Sequence, residues 1–315
     1  MENLRTIAQK AGVSKSTVSR VINNEKYVSA EIKDRVLRII DETGYVPNGN
    51  AVKLSKGKNN TIGMTLPYNN SCYEQLTNSI LYYAKQKGYQ VLLLPTYYEE
   101  PMEKIYFSLL NRQVIDGLIL TTCSQKIENL EKICAKEKIV FTEKVDSTIL
   151  PMIYPDRKKI YQQLFFEISK QKKHRVVFTV KRTSKESKST RDKVNSFNTY
   201  FEKAIEGKNY FTGLSGYSEG YRWSINYFSN HRPPDVIFAN GDDIAAGIIS
   251  GLKVLGYIHK KDFQMIGEGN TPYSEILDFS TIDFFPNEIG KAVINYILSE
   301  EKCVSIRKEP LLIRR

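Results

Sequence analysis

The sequence contains no apolar run approaching the ~20 residues needed to cross a bilayer. Its opening, MENLRTIAQKAGVS, lacks the uninterrupted apolar core and small-residue cleavage site of an export signal. The chain is therefore expected to stay in the cytoplasm. Cysteine is scarce: Cys72, Cys123, Cys134 and Cys303 are scattered without a C-x-x-C pair. That spacing disfavours a disulfide framework or a zinc site and leaves four buried thiols in a reducing compartment as the expectation. Histidine is scarcer still, with His174, His231 and His259 in no metal-binding spacing. No G-x-x-x-x-G-K-[ST] phosphate loop occurs. No catalytic residue, metal ligand or cofactor is expected, and the enzyme class starts weak.

What is present is more informative. At 315 residues the chain exceeds one typical domain, so two or three folding units are expected. Hydrophobic residues make up 41% and charged residues 26%, which are globular values. The net charge of +11 is unevenly placed: residues 1–58 hold eleven Lys/Arg against six Asp/Glu. A small basic domain ahead of a larger body is the electrostatic outline of a nucleic-acid binder.

Within that basic segment, Leu4, Ile7, Ala8 and Ala11 recur at helical spacing until Gly12-Val13 interrupts. Ser14 can cap a second short helix, Lys15 to Asn23. Val18, Val21 and Ile22 form its apolar stripe, while Lys15, Ser16, Ser19, Arg20 and Asn23 share the opposite face. Two helices joined by a tight turn make a helix-turn-helix. A third helix follows, capped by Ser29, with Ile32, Val36, Ile39 and Ile40 inward and Gly44 as its stop. The exposed face of the second helix is short, polar and basic, as entry to the major groove requires. Arg20 can reach a guanine bidentately, and Lys15 and Ser16 can also meet base edges. Ser14, Thr17, Asn23 and Ser29 suit phosphate oxygens, which fix register without reading sequence. Thr6, Ser19 and Tyr27 complete the candidate contacts. Taken alone, the same face also fits an ordinary solvated helix.

The segment YVPNGNAVKLSKGK comes next. Pro47 and Gly49 oppose a regular helix at its entry, and a helix over 50–55 is too short to be stable alone. It is expected to form on DNA, where Leu54, an apolar residue in a basic tract, can wedge into the minor groove. A plain linker is the alternative.

From about residue 60 short apolar runs alternate with amphipathic ones. Ile62–Leu66, Val91–Pro95, Gly117–Leu120 and Ile139–Thr142 read as buried strands, with helices at Tyr73–Lys87 and Met102–Arg112. The alternation resumes with Val176–Val180, Asn209–Thr212, Val236–Ala239 and Gln264–Ile266. Two such blocks argue for two parallel-sheet α/β lobes.

The run AGVSKSTVSRVIN, followed by VS and GYVPN, resembles the headpiece of the LacI/GalR family of bacterial regulators. The likeness continues through NNTIGMTLPYNN, GYQVLLLPT, VIDGLIL, VIFANGDDIAAG, FQMIGEGNTP and PNEIGKAVINYIL. It implies an α/β chain: an all-α helix-turn-helix headpiece (1–45), a hinge helix or linker (46–58) and a periplasmic-binding-protein-like core (59–315). The core would comprise two doubly wound parallel-sheet lobes, one from about 59–156 and 284–315, the other from about 157–283, with a further crossing before the C-terminus. The resemblance further implies a homodimer on double-stranded operator DNA, with Lys15, Ser16 and Arg20 reading the major groove. It also makes Leu54, beside Ala51, the minor-groove lever. The family's hinge commonly reads A-R-x-L; here Ala51-Val52-Lys53-Leu54 lacks that arginine.

A family ligand sits between the lobes, and there this sequence departs from the sugar-responsive pattern. The R-x-x-G-[FW] segment is matched by Lys193-Val194-Asn195-Ser196-Phe197, an N-D pair by Gly241-Asp242, and the acids of V-G-[FY]-D-D by Gly269-Asn270. Arginine and charged acceptors hold polyols, and Arg-to-Lys there is not neutral. Tyr73, Asp156, Ser189, Lys193, Asp242 and Asn270 remain as effector-binding candidates, and free sugar is expected to bind weakly or not at all. LLPTYYEEP, SKSTRDK and IGEGNTP resemble the family's catabolite-control branch. This makes serine-phosphorylated HPr, or another small molecule, the alternative cue, with the Lys/Arg-rich tract 170–193 as a phosphate-binding patch. As a solvated surface, that tract has a blander use. The rival overall reading is a two-lobed solute-binding protein without a regulatory role. It would lack residues 1–58.

Overall fold

The computed structural model describes the chain apart from residues 1–2, 24, 26, 47–57, 69, 136, 172–174 and 301–303. Its first body is a trio of helices, α1 (Leu4–Ala11), α2 (Lys15–Ile22) and α3 (Ala30–Thr43). Local chemistry sets their ends. Asn3 accepts from the backbone N–H of Arg5 and Thr6, Ser14 from Thr17 and Ser29 from Ile32, each satisfying an orphan donor of a first turn. Gly12 and Gly44 stop α1 and α3 at φ 64° and 60°, a left-handed conformation that glycine adopts without a Cβ penalty. The apolar stripes meet in one small core of Ile7, Ala8, Ala11, Val18, Val21 and Val36. α2 ends at Ile22, with Asn23 as its cap, one residue short of the expected end.

The remainder forms two α/β lobes. The first sheet contains β1 (Thr61–Leu66), β2 (Gln90–Pro95), β3 (Gly117–Leu120), β4 (Ile139–Phe141), β5 (Met152–Pro155) and β11 (Ser305–Lys308), in the order β11-β5-β4-β3-β1-β2. The second contains β6 (Val176–Thr179), β7 (Tyr210–Phe211), β8 (Val236–Phe238), β9 (Gln264–Glu268), β10 (Ser280–Asp283) and β12 (Leu311–Ile313), in the order β12-β10-β9-β8-β6-β7. Every pairing is parallel except β10 with β12. The central strands are buried along their length, as helices on both faces require, and so they read as continuous apolar runs.

In the first lobe α4 (Ser71–Gln86) and α12 (Pro286–Leu298) cover one face through Ile80, Ile289 and Val293. The other face is covered by α5 (Glu100–Asn111) and α6 (Ile127–Cys134), through Phe107, Leu110 and Leu130. In the second lobe α7 (Arg157–Lys170) and α8 (Lys188–Tyr200) bring Phe165 and Phe197 against Phe178 and Phe238. The opposite face carries α9 (Tyr217–Phe228) and α10 (Asp242–Val254), which touch backbone to backbone: a Cβ on Gly247 would collide with the Tyr217 carbonyl oxygen. A short α11 (Pro272–Ile276) follows β9.

The chain passes between the sheets three times: from β5 into α7, from β10 into α12, and from β11 to β12. This last step corrects the expected 284–315 span of the first lobe, because Leu311–Ile313 pair with β10 of the second. Four strands had no counterpart in the sequence reading: β5, β10, β11 and β12. The thiols also differ from expectation. Cys72 is exposed and Cys123 and Cys134 are half-buried, while Cys303 lies outside the described residues.

Candidate DNA-binding surface and interlobe site

On α2 the apolar stripe is spent on the headpiece core, leaving Lys15, Ser16 and Arg20 exposed together. Arg20 Nε lies 3.8 Å from Glu25 Oε2, a solvent-facing pair that DNA can displace at little cost. At the helix N-terminus the Ser14 hydroxyl sits 2.7 Å from that of Ser16 and 2.8 Å from that of Thr17. This group of hydroxyls meets the positive end of the helix dipole, where a phosphate oxygen is favoured. Thr6 turns its hydroxyl to Asn3, while Ser29 caps α3 from an exposed position. Ser19 and Asn23 are half-buried and bond to each other at 3.4 Å, with Asn23 Oδ1 buried and without a partner among the described residues. Tyr27, 90% exposed, projects from the turn before α3. Ala51, Leu54 and the hinge lie outside the described residues.

The carboxyl ends of the strands of both sheets face a cavity of about 650 Å³ between the lobes, where ligands settle in open α/β sheets. Tyr73, Asp156, Ser189, Lys193 and Asp242 all line it; Asn270 does not. Asn270 sits at φ 49°, donates to Asp283 at 3.0 Å and accepts from Arg315 at 3.3 Å. It ties the end of β9 to the crossing strand and the C-terminus, which corrects its assignment as a ligand contact.

Two other candidates are already committed. Asp242 is 1% exposed and accepts from Thr281 Oγ1 at 2.6 Å and from the Thr271 N–H at 2.7 Å. Burial pushes its carboxyl pKa up against these bonds. Gly267 leaves room for it, since a Cβ there would strike Asp242 Oδ1. Asp156 caps α7 through the Lys159 N–H and faces Arg307 at 3.4 Å. Both brace the walls of the cleft. Ser189 pairs with Ser187 at 3.0 Å, and Tyr73, its phenol raised by burial, hydrogen-bonds with Tyr98.

Lys193 is the surprise. It is 2% exposed, its Nζ lies 2.6 Å from Glu268 Oε1, and it sits 3.9 Å from the Phe238 ring centroid. Burial pulls its pKa down, and Glu268 opposes that by stabilising the charge. Arg157 reaches the other oxygen of Glu268 at 3.6 Å and lies over Phe284 at 3.9 Å. Sequence reasoning missed Glu268 and Arg157. The available signal was Glu268 in IGEGNTP, an acid where the family motif has an aromatic, alongside a lysine where the motif has arginine.

The rim was also missed. Lys181 lies over the Tyr68 ring at 3.5 Å and Arg182 over Tyr98 at 3.9 Å, each pair joining the two lobes. Ser71 Oγ donates to Asp243 Oδ2 and Lys188 lies 3.7 Å from Asp146, again across the cleft. Glu143 lines the same wall, where burial pushes its carboxyl up to about 7 against the pull of Arg182 and Arg157. Among the described residues the Lys/Arg-rich tract is not one basic surface: Lys181, Arg182, Lys188 and Lys193 line the cleft, while Arg175, Lys185 and Arg191 are exposed away from it.

Among the described residues no helix is long and apolar enough to cross a membrane, and no group of His, Cys, Asp and Glu is arranged to hold a metal ion. Residues 3–48 match the family model described as bacterial regulatory proteins, lacI family. Residues 59–283 match periplasmic binding proteins and sugar binding domain of LacI family. Catabolite control protein B of Bacillus subtilis is 32% identical over 96% of each chain. The ribose operon repressor of Halalkalibacterium halodurans is 25% identical, covering 99% of this chain and 92% of its own. A lac repressor dimer solved with operator and an anti-inducer superposes at TM-score 0.83, at 20% identity, over 100% of this chain and 98% of that one.

Proposed function

The chain belongs to the LacI family of bacterial regulatory proteins, and on that premise we propose that it is a two-fold dimer that represses carbohydrate- or catabolite-responsive genes from an operator. It is a DNA-binding transcriptional regulator by family. The finer reading rests on one observation: Lys15, Ser16 and Arg20 stand exposed together on a helix whose apolar side is fully used in packing. In the major groove Arg20 pairs with a guanine, Lys15 and Ser16 meet neighbouring edges, and Ser14, Thr17 and Ser29 hold phosphates. Leu54, beside Ala51, would open the central minor-groove step.

Two-fold pairing is supported by apolar side chains left on the outer face of the first lobe. Leu81 and Tyr82 of α4 and Leu92 and Leu93 of the edge strand β2 are all exposed. A second copy covers them and sets the two headpieces over adjacent half-sites. A ligand in the cleft changes lobe closure, and closure changes headpiece spacing. We favour a small molecule over serine-phosphorylated HPr as the cue, because four cations of the basic tract, Lys181, Arg182, Lys188 and Lys193, line the cleft. A DNA-binding regulator of this family acts in the cytoplasm, where the bacterial chromosome lies.

A gel shift of the full-length protein on its gene's own upstream region tests the reading. A specific complex that survives random competitor is expected. Equal binding to random duplex would overturn it and leave the solute-binding alternative.

A further inference from the structure

Although they share one wall, the acids and bases of the cleft differ in kind. Three of the acids are occupied. Asp242 serves Thr271 and Thr281, Asp156 serves α7 and Arg307, and Asp243 accepts from Ser71. Deepest in, one carboxylate, Glu268, serves two cations, Lys193 and Arg157. That trio carries one positive charge in excess, and Glu143 on the same wall is a carboxyl whose charge burial disfavours. At the rim, among the described residues, neither Lys181 nor Arg182 has a carboxylate within ion-pair distance; each rests on a tyrosine ring instead. A guanidinium stacked on a ring keeps its in-plane N–H donors, the geometry that takes a carboxylate or phosphate bidentately.

A second, independent feature points to a ligand with hydroxyl groups. Tyr68 Oη and Asn70 Oδ1 both belong to residues of the cavity wall, and both are buried without a partner among the described residues. An orphaned buried polar atom costs free energy until something supplies its hydrogen bond. Asn70 Oδ1 can only accept, so it needs a donor. Asn70 also stands before α4 without a side-chain capping bond to it, and the first turn of that helix lines the cleft.

We propose that the interlobe cleft takes an anionic polyhydroxy small molecule, a sugar phosphate or a sugar acid, with its anion on Arg182 and its hydroxyls on Asn70 and Tyr68. This rests on the regulator reading and names the ligand class for the same site. Charge sets the preference: a neutral sugar satisfies the orphaned oxygens but leaves the ring-stacked Lys181 and Arg182 without an anion.

Calorimetric titration of the full-length protein tests it, using matched sets of pentoses and hexoses, each as free sugar, phosphate ester and carboxylic acid. The tightest ligand should be an anionic member, at least tenfold tighter than its neutral parent, and the phosphate and acid arms show which anion the site prefers. Arg182→Gln should abolish the difference, and Arg182→Lys should keep part of it. A neutral sugar binding as tightly as its anionic counterpart, or no member of any set binding, overturns the proposal. Operator preference measured on the same samples separates the two failures, since its loss would sink the regulator reading rather than the ligand class.

Discussion

Lys193 Nζ and Glu268 Oε1 lie 2.6 Å apart in the floor of the cleft, joined from 75 residues away in sequence, with the lysine only 2% exposed. Two cations depend on that carboxylate, whereas Lys193 is only one of the two groups Glu268 serves. Glu268→Gln should therefore destabilise the protein more than Lys193→Met. Removing one partner of a buried pair typically costs about 3–5 kcal/mol, and the apolar replacement of a cation relieves part of the desolvation. Denaturant unfolding of the two variants checks the order; equal losses would contradict the shared-carboxylate geometry.

Gly247 makes a separate test of packing. α9 and α10 approach so closely there that a Cβ meets the Tyr217 carbonyl oxygen, which is backbone and cannot swing aside. Gly247→Ala should cost roughly 1–3 kcal/mol through overpacking, despite alanine's better helix propensity. A thermal melt would show a lowered transition. A raised one would refute the close approach.

Glu143 gives the cleft a pH dependence with a definite sign. Its folded carboxyl titrates at about 7 because burial disfavours its charge. The unfolded group titrates near ~4.3. Between these values the folded state binds more protons, so this group's contribution to stability falls as pH rises from about 4 to about 7. Above that window the penalty is complete; below it there is none. Stability of the wild type relative to Glu143→Gln should accordingly decline across the window, as measured by melts at stepped pH. A flat difference would contradict a buried, charge-disfavoured carboxyl.

How far the sequence disclosed this architecture depended on how local each determinant was. The headpiece was legible because caps and stripe lie within a few residues of one another: Ser14, Ser29 and Gly44 fall where they were expected. The central strands were legible because double-sided burial makes them uniformly apolar. β11, SIRK, and β12, LLI, were not, since they are short edge strands whose partners β5 and β10 are remote in sequence. In the cleft, motif comparison located Lys193 but not its burial, which depends on Glu268 and Phe238. Asn270 was misplaced because its side chain answers Asp283 and the C-terminal Arg315, a pairing no local pattern announces.

On α2, the Arg20 side chain should carry base discrimination while Glu25 only holds it between encounters. Glu25→Ala removes an exposed ion pair worth at most about 1 kcal/mol and should leave base preference unchanged. A binding panel of single-base operator variants would detect any shift.

The central claim, that the polar side of α2 reads duplex bases, is met most directly by Arg20→Ala measured against that panel. The expected loss is ~1–3 kcal/mol on the preferred duplex, with specificity relaxed at a single base pair in each half-site. Uniform weakening on every duplex, with the base preference intact, would place Arg20 on the phosphate backbone and contradict the account.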